Sequence, residues 1–192
     1  IYVGIDLAAS PKRCSGYAEI ICEEKCLLRD TRCLYSDDEI INSLTQLTTR
    51  YKRVVVSVDA PFSLGSGMRL VDRKMISLGF RVFPPGFGAM RKLTLRAMRL
   101  IEKLSEADLH IYETHPRSAI NSSGCGSVKE LLHHLSIEFS VDPDTLRKDL
   151  RDAVVAAVVS YCIDMNCFTR VEEIDGVIWL LKRDLCSQGS IK

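Results

Sequence analysis

No stretch of this 192-residue chain approaches the roughly 20 consecutive apolar residues that a membrane-spanning helix needs. The best candidate, Ala153 to Ile163, is too short and follows directly on charged residues. A basic-then-apolar secretory signal is also missing at the start, so a cytoplasmic address with no membrane partner is the expectation. Net charge is small, +1 from 26 Lys and Arg against 25 Asp and Glu, so composition alone does not call for a polyanion partner. None of the eight cysteines stands in a C-x-x-C pair, which excludes the common zinc-finger and zinc-ribbon spacings. Buried free thiols are expected, although Cys22 and Cys26 flank a hairpin turn and could oxidise across it. With an apolar fraction of 46% and a charged fraction of 27%, nothing points to a disordered or fibrous chain. The length suits a single domain, residues 1–192, around one well-filled core.

The small net charge conceals a local imbalance. Between Met68 and Lys103 there are nine Lys or Arg and two acids, so this stretch carries +7 and the remainder −6. It coincides with an irregular segment, about 65–107, read as a basic helical insertion. That segment holds a short helix near Leu70 to Leu78, a loop through Phe83-Pro84-Pro85-Gly86-Phe87, and a longer helix from about Ala89 to Ala107. Lys92, Arg96, Arg99 and Lys103 line one face of the longer helix. Arg69, Arg73, Lys74, Arg91, Lys92, Arg96 and Arg99 are the candidate nucleic-acid contacts, and Arg81 adds to the same excess of positive charge. Phe83 and Phe87 are read as packing groups.

Three apolar runs end in an acid. Tyr2-Val3-Gly4-Ile5-Asp6 opens the chain, Val54 to Asp59 is a β-branched run stopped by Pro61, and Leu109 to Glu113 is followed by Thr114-His115-Pro116. Tyr17 to Cys22 and Cys26 to Tyr35 read as a hairpin after the first strand, and Ser36 to Glu39 is a capping box opening an amphipathic helix. A second box at Ser127 to Glu130 opens another helix, and Asp142-Pro143 reads as the start of a third. This last helix carries Asp149 and Asp152 and then runs apolar on nearly all sides, so it should be buried. The region from Asn166 onward is ambiguous, with Asp175-Gly176 as a turn and Val177 to Leu181 as an edge strand.

If the second and third acid-tipped strands lie parallel to the first, Asp6, Asp59 and Glu113 emerge at one sheet edge, and the helix bearing Asp149 and Asp152 starts there too. Carboxylates that close repel by about 1 kcal/mol per pair at water's dielectric and ~4 at a partly buried one. Such a cluster needs protonation, basic partners or a divalent metal, and acids without His or Cys at the same spots favour the last, a hard, oxygen-loving cation such as Mg²⁺ or Mn²⁺. Two such ions on shared carboxylates would serve phosphodiester hydrolysis. Asp6, Asp59, Glu113 and Asp152 are the candidate catalytic residues, with Asp149 joining them as a metal ligand. Glu113 could instead pair with Arg73 or Arg117, and Arg69 and Arg73 could orient carboxylates.

Taken together, Gly4-Ile5-Asp6, Val58-Asp59-Ala60-Pro61, Arg69 with Asp72-Arg73, Glu113-Thr114-His115-Pro116 and Asp149-Leu150-Arg151-Asp152-Ala153 resemble the family catalogued as domain of unknown function 429. That is a predicted nuclease group of the ribonuclease-H-like superfamily, and the resemblance covers about residues 1–160. It implies an α/β, ribonuclease-H-like mixed sheet of three antiparallel strands followed by strand-helix units, with helices on both faces and the first strand central. In RuvC-type resolvases of that superfamily an Asp on the first strand, an acid on a later strand and a D-x-x-D-A helix motif hold the metals. Carried over, these are Asp6, Asp59 or Glu113, and Asp149 with Asp152. Glu113-Thr114-His115 departs from the Glu-x-Tyr-Pro form associated with the family, which leaves His115 without an implied role.

The function expected is a metal-dependent nuclease of DNA or RNA. A phosphotransferase of the sugar-kinase and actin type also opens with Gly-Ile-Asp, but it needs a second lobe and another phosphate loop. A non-catalytic nucleic-acid-binding or scaffold protein is the third reading. Nothing in the sequence indicates an oligomeric state.

Overall fold

The computed structural model describes residues 1–187. Eight strands form one mixed sheet: β1 (Tyr2–Asp6), β2 (Ser15–Cys22), β3 (Cys26–Leu34), β4 (Val55–Asp59), β5 (His110–Thr114), β6 (Ile137–Phe139), β7 (Phe168–Glu173) and β8 (Gly176–Leu181). Their spatial order is β6-β3-β2-β1-β4-β5-β8-β7. β1, β2 and β3 run antiparallel in sequence, as the hairpin signals predict. β4 lies parallel to β1, and β5 parallel to β4, because a helical crossover precedes each of them.

Six α-helices accompany the sheet: α1 (Asp37–Thr48), α2 (Leu70–Ser77), α3 (Gly88–Leu104), α4 (Pro116–Ser123), α5 (Val128–His134) and α6 (Lys148–Met165). The Ser36 hydroxyl and the Glu39 side chain close the predicted capping box at the start of α1. Period-2 alternation divides the core. Val3, Ile5, Val56 and Val58 face α1 and α3, while Tyr2, Ala18, Ile20 and Val55 pack with α6 and its neighbours.

α6 is apolar nearly all round, and its residues Ala153 to Ser160 are buried. Its backbone lies directly on the sheet. A Cβ on Gly4 would fall 2.0 Å from the Ala153 carbonyl oxygen, and one on Gly16 would fall 2.0 Å from that of Asp149. Glycine is required at both positions by this approach. Gly16 is the register partner of Asp6, so the contact fixes the first turn of α6 over the end of β1. The Ser160 hydroxyl adds a bond to the Val3 carbonyl at 2.8 Å.

Several expectations are corrected. Val177 to Leu181 is not an edge strand: β8 sits between β5 and β7, and β7 forms the edge. Its unbroken apolar run fits a strand covered on both faces. The Asp175-Gly176 turn does local work, since the Asp175 carboxylate accepts from the backbone N–H groups of Leu70 and Val71 and so caps α2. Residues 116–123 form a helix for which the sequence suggested no element, with Pro116 in its first turn and Gly124 in the left-handed region at its end. The helix expected from Pro143 is broken: residues 143–145 make a single 3₁₀ turn and α6 begins at Lys148.

The expectation of free thiols is also overturned, because Cys14–Cys33, Cys22–Cys26, Cys125–Cys186 and Cys162–Cys167 are disulfides and no free cysteine is left. Only the second of these was foreseen as an option. Four disulfides belong to an oxidising compartment or to intracellular proteins of hyperthermophiles. Among the described residues no helix is long and apolar enough to cross a membrane.

Candidate active site

The C-terminal ends of β1 and β4 set the geometry. Asp6 and Asp59 are each the last residue of their strand and are direct register partners. Neighbouring strands stand ~4.8 Å apart, so the two side chains leave the same face at the same level. That face is the one under α6. Asp152 stands in the first turns of α6, immediately before Ala153, whose Cβ lies against Gly16 beside Asp6. All three carboxylates open into one cavity of about 600 Å³ at the sheet edge.

The electrostatics follow from that proximity. Burial, then the charges of Asp152 and Asp149, push the Asp6 carboxyl up to about 7. Burial, then Asp6 and Asp152, hold Asp59 well above the usual carboxylate range. Asp152 is raised as well, by burial, against the lowering pull of Lys148. Neither Asp6 nor Asp59 receives a hydrogen bond from a described residue. Lys148, whose Nζ lies 3.5 Å from Asp152, is the cation that opposes the repulsion at all three acids.

Glu113 is placed differently. It is the penultimate residue of β5 and pairs with Val58, while Thr114 is the partner of Asp59. An offset of one residue turns a side chain to the opposite face of a sheet. There Glu113 accepts from Arg69 Nη1 at 2.8 Å and Nη2 at 2.5 Å, and from the Phe62 backbone N–H at 2.9 Å. Arg69 also binds Asp72 through Nε at 3.0 Å and Nη2 at 2.8 Å. All three residues are buried, with Arg69 only 2% exposed. The Glu113 carboxylate still borders the same cavity as Asp6 and Asp59, and its charge adds to the raising of Asp59, but it is engaged by Arg69 and the Phe62 N–H. Its contact with Phe62 ties down the turn that follows Asp59.

Asp149 lies on the outer side of the first turn of α6, where it pairs with Arg147 at 2.6 Å. It does not line the cavity, and it influences Asp6 only through its charge.

The basic residues divide. Arg73, Lys74, Arg91, Lys92 and Arg99 are exposed on α2 and α3. Lys74 is held by Glu173 at 2.7 Å. Arg69 and Arg96 are not surface groups. Arg96 is 2% exposed and binds Asp37 at 2.7 Å, the Ala8 carbonyl at 2.6 Å and the Tyr35 carbonyl at 2.8 Å, which staples the loop leaving Asp6. The helical stripe expected to meet nucleic acid is interrupted at its centre for that reason. The cations that line the cavity are Arg69, which is locked to Glu113 and Asp72, and Arg81, Arg117, Lys148 and Arg151; of these only Arg69 is among the predicted nucleic-acid contacts, with Arg81 part of the same basic stretch. Arg117 directly follows the Glu113-Thr114-His115-Pro116 motif, Lys148 directly precedes Asp149, and Arg151 lies inside the D-x-x-D motif. His115 also lines the cavity. Its Nδ1 is 2.7 Å from the Ser118 hydroxyl, and burial followed by the charge of Arg117 lowers its pKa to about 4, so the ring is neutral near pH 7.

No three His, Cys, Asp or Glu side chains among the described residues close around one point as a preformed metal cage would. Asp6, Asp59 and Asp152 nevertheless suit a hard divalent ion. Mg²⁺ is usually held by one or two carboxylates, several waters and the substrate's phosphates, and needs no closed protein cage.

Searches among known proteins give a consistent but coarse answer. No family model matches the chain, and no curated protein sequence matches it, so the resemblance to domain of unknown function 429 gains no support from sequence. Among solved structures, Thermus thermophilus RuvC matches with a TM-score of 0.50 at 14% identity, covering 85% of this chain and 95% of that one. The fold is ribonuclease-H-like. T. thermophilus RuvC in complex with Holliday junction substrate gives a TM-score of 0.49 at 11% identity, over 85% of this chain and 94% of that one. At such identities the likeness concerns the RuvC-like fold alone, and the eight-stranded mixed sheet agrees with it.

Proposed function

We propose that this protein is a divalent-metal-dependent nuclease that hydrolyses phosphodiester bonds of DNA or RNA. The observation that carries the reading is the pairing of Asp6 with Asp59 across parallel strands, under a helix that brings Asp152 to the same cavity. Each of these carboxyls is destabilised as an anion by burial, and Asp6 and Asp59 also by neighbouring acids. A cation that relieves that repulsion has a built-in source of affinity. A ribonuclease-H-like fold supports the same class of chemistry by analogy, which is a weaker support than the site.

Asp6, Asp59 and Asp152 would hold Mg²⁺ or Mn²⁺, in the two-ion form of the chemistry on shared carboxylates. The bound metal supplies charge stabilisation on phosphoryl oxygens and lowers the pKa of a coordinated water. The chain's own groups do the rest. Arg117, Lys148 and Arg151 line the same cavity and offer donors to a phosphodiester oxygen. Lys148 is well placed to exchange its weak 3.5 Å contact with Asp152 for a substrate phosphate. The Arg69–Glu113–Asp72 network holds the turn after Asp59 rigid, so that carboxylate meets substrate without reorganising. The exposed Arg73, Lys74, Arg91, Lys92 and Arg99 supply a sequence-independent attraction for the polyanion.

The test is cleavage of labelled single- and double-stranded DNA and RNA with Mn²⁺, Mg²⁺ or EDTA. Cleavage that needs the metal and disappears in Asp6→Asn and Asp152→Asn, each still folded by circular dichroism, is expected. Cleavage unchanged in both variants would refute the proposal.

A further inference from the structure

We infer that the cavity receives an unpaired nucleotide whose base stacks on Phe83, so that the preferred substrate is a single strand or a locally opened one. The inference rests on the nuclease reading and adds the strandedness of its substrate. Phe83 and Phe87 are 71% and 67% exposed, against the sequence expectation that both are packing groups. Phe83 is the one of the two that lines the acid-bearing cavity, next to Arg81 and Val82.

The segment that carries it is anchored. Pro84 and Pro85 follow it directly and limit the backbone, and Pro85 is buried. The Gly86 N–H donates to the Gly67 carbonyl at 3.0 Å, and a Cβ on Gly86 would stand 2.7 Å from the Gly67 Cα. A large ring held out in water on a fixed support is a pre-organised contact surface whose ordering cost on binding is low.

The rest of the cavity says what that contact is. Besides Arg69, which is engaged by Glu113 and Asp72, four cations, Arg81, Arg117, Lys148 and Arg151, share it with the apolar groups Phe83 and Val82. An aromatic face beside several phosphate donors is the combination that binds unstacked strands, where the ring takes a base and the cations track the backbone. A base inside a duplex already has both faces covered by its stacked neighbours. A space of about 600 Å³ also matches one small ligand or nucleotide.

The experiment uses the full chain in EDTA, so that nothing is cut, with an oligonucleotide carrying one 2-aminopurine, alone or annealed to its complement. Anisotropy gives the affinity, and quenching of 2-aminopurine reports stacking. The single strand should bind at least roughly tenfold tighter than the duplex and be quenched. Phe83→Ala should abolish the quench and lose on the order of tenfold in affinity for the strand, while Phe83→Trp keeps both. Equal affinity for strand and duplex, or a quench that survives in Phe83→Ala, overturns the inference. In that case metal-dependent cleavage that still requires Asp6 leaves the nuclease reading standing. Failure to bind either polynucleotide, together with no cleavage in Mn²⁺, removes both.

Discussion

Asp6 and Asp59 stand side by side at the ends of β1 and β4, paired residue for residue, with both side chains under α6. Two buried carboxylates in that relation make the metal-free protein sensitive to pH in an unusual sense. Asp6 has its folded pKa raised from 3.8 to about 7, so the folded state prefers the protonated form. The stabilising contribution is complete below about pH 4 and is lost as the pH rises toward and through 7. In EDTA, Asp6→Asn should therefore raise Tm at pH 8, by the equivalent of ~1–3 kcal/mol, and change it little at pH 4. Calorimetry at the two pH values checks this, and an equal loss of stability at both would contradict it.

The same pair should bind metal with release of protons. Isothermal titration with Mn²⁺ in buffers of different ionisation enthalpy should show proton release at pH 6.5 that fades by pH 8.5, since Asp6 must ionise to coordinate. Asp6→Asn and Asp59→Asn should each weaken binding by tenfold or more. Asp149→Asn should have a smaller effect, because its carboxylate is engaged by Arg147 outside the cavity.

Glu113 separates two kinds of acid at this edge. As the buried partner of Arg69, it should be costly to remove: Glu113→Ala strands the guanidinium beside Asp72 alone, at a cost of about 3–5 kcal/mol. Glu113→Gln keeps an acceptor for Arg69 and Phe62 and should cost less. Provided the protein is folded, Glu113→Gln should retain Mn²⁺ affinity within a few fold. Loss of metal binding without loss of stability would identify Glu113 as a ligand.

The sequence made the first two acids legible and misplaced the third for one reason. β1 and β4 end at their aspartates, where a turn begins, but β5 continues one residue to Thr114. A period of two then sends Glu113 to the other face, and strand ends are not resolved to one residue by pattern. Hydrophobic periodicity identified α1, α3 and the buried helix, yet it also treated Arg96 as one more exposed cation on a basic stripe. Only the packing of α3 against the loop after β1 shows that Arg96 is buried. The cavity cations Arg117, Lys148 and Arg151 come from two helices brought together by topology, which no local spacing encodes. Disulfide connectivity was unreadable likewise, because eight cysteines permit many pairings.

Disulfide pairing has its own consequence. Alkylation of the denatured, unreduced protein should modify no thiol within residues 1–187, and eight after reduction. Cys125–Cys186 closes the longest loop, at a sequence separation of 61, and should contribute ~4 kcal/mol on a chain-entropy model, against ~2 for Cys22–Cys26. Replacing Cys125 and Cys186 by Ser should lower Tm more than replacing Cys22 and Cys26, as thermal unfolding will show.

The closest constraint on the site lies beneath it. Gly4 and Gly16 allow the backbone of α6 to rest on β1 and β2, and this contact sets the height of Asp152 above Asp6. An added methyl at Gly4 would meet backbone atoms, the Ala153 oxygen at 2.0 Å and the Ala157 nitrogen at 2.2 Å, which cannot rotate away. Gly4→Ala must therefore lift α6 or bend β1, in the range of ~3 kcal/mol or more for an overpacked core position. Because the displaced helix carries Asp152, a Gly4→Ala protein that still folds should bind Mn²⁺ more weakly than wild type although every acid is present. Ala18 shares the same face and packs in the same core without facing the α6 backbone through a glycine. Ala18→Gly should thus lower stability while leaving Mn²⁺ affinity near that of wild type. Equal metal affinity in Gly4→Ala and wild type would mean that the height of α6 does not govern the site.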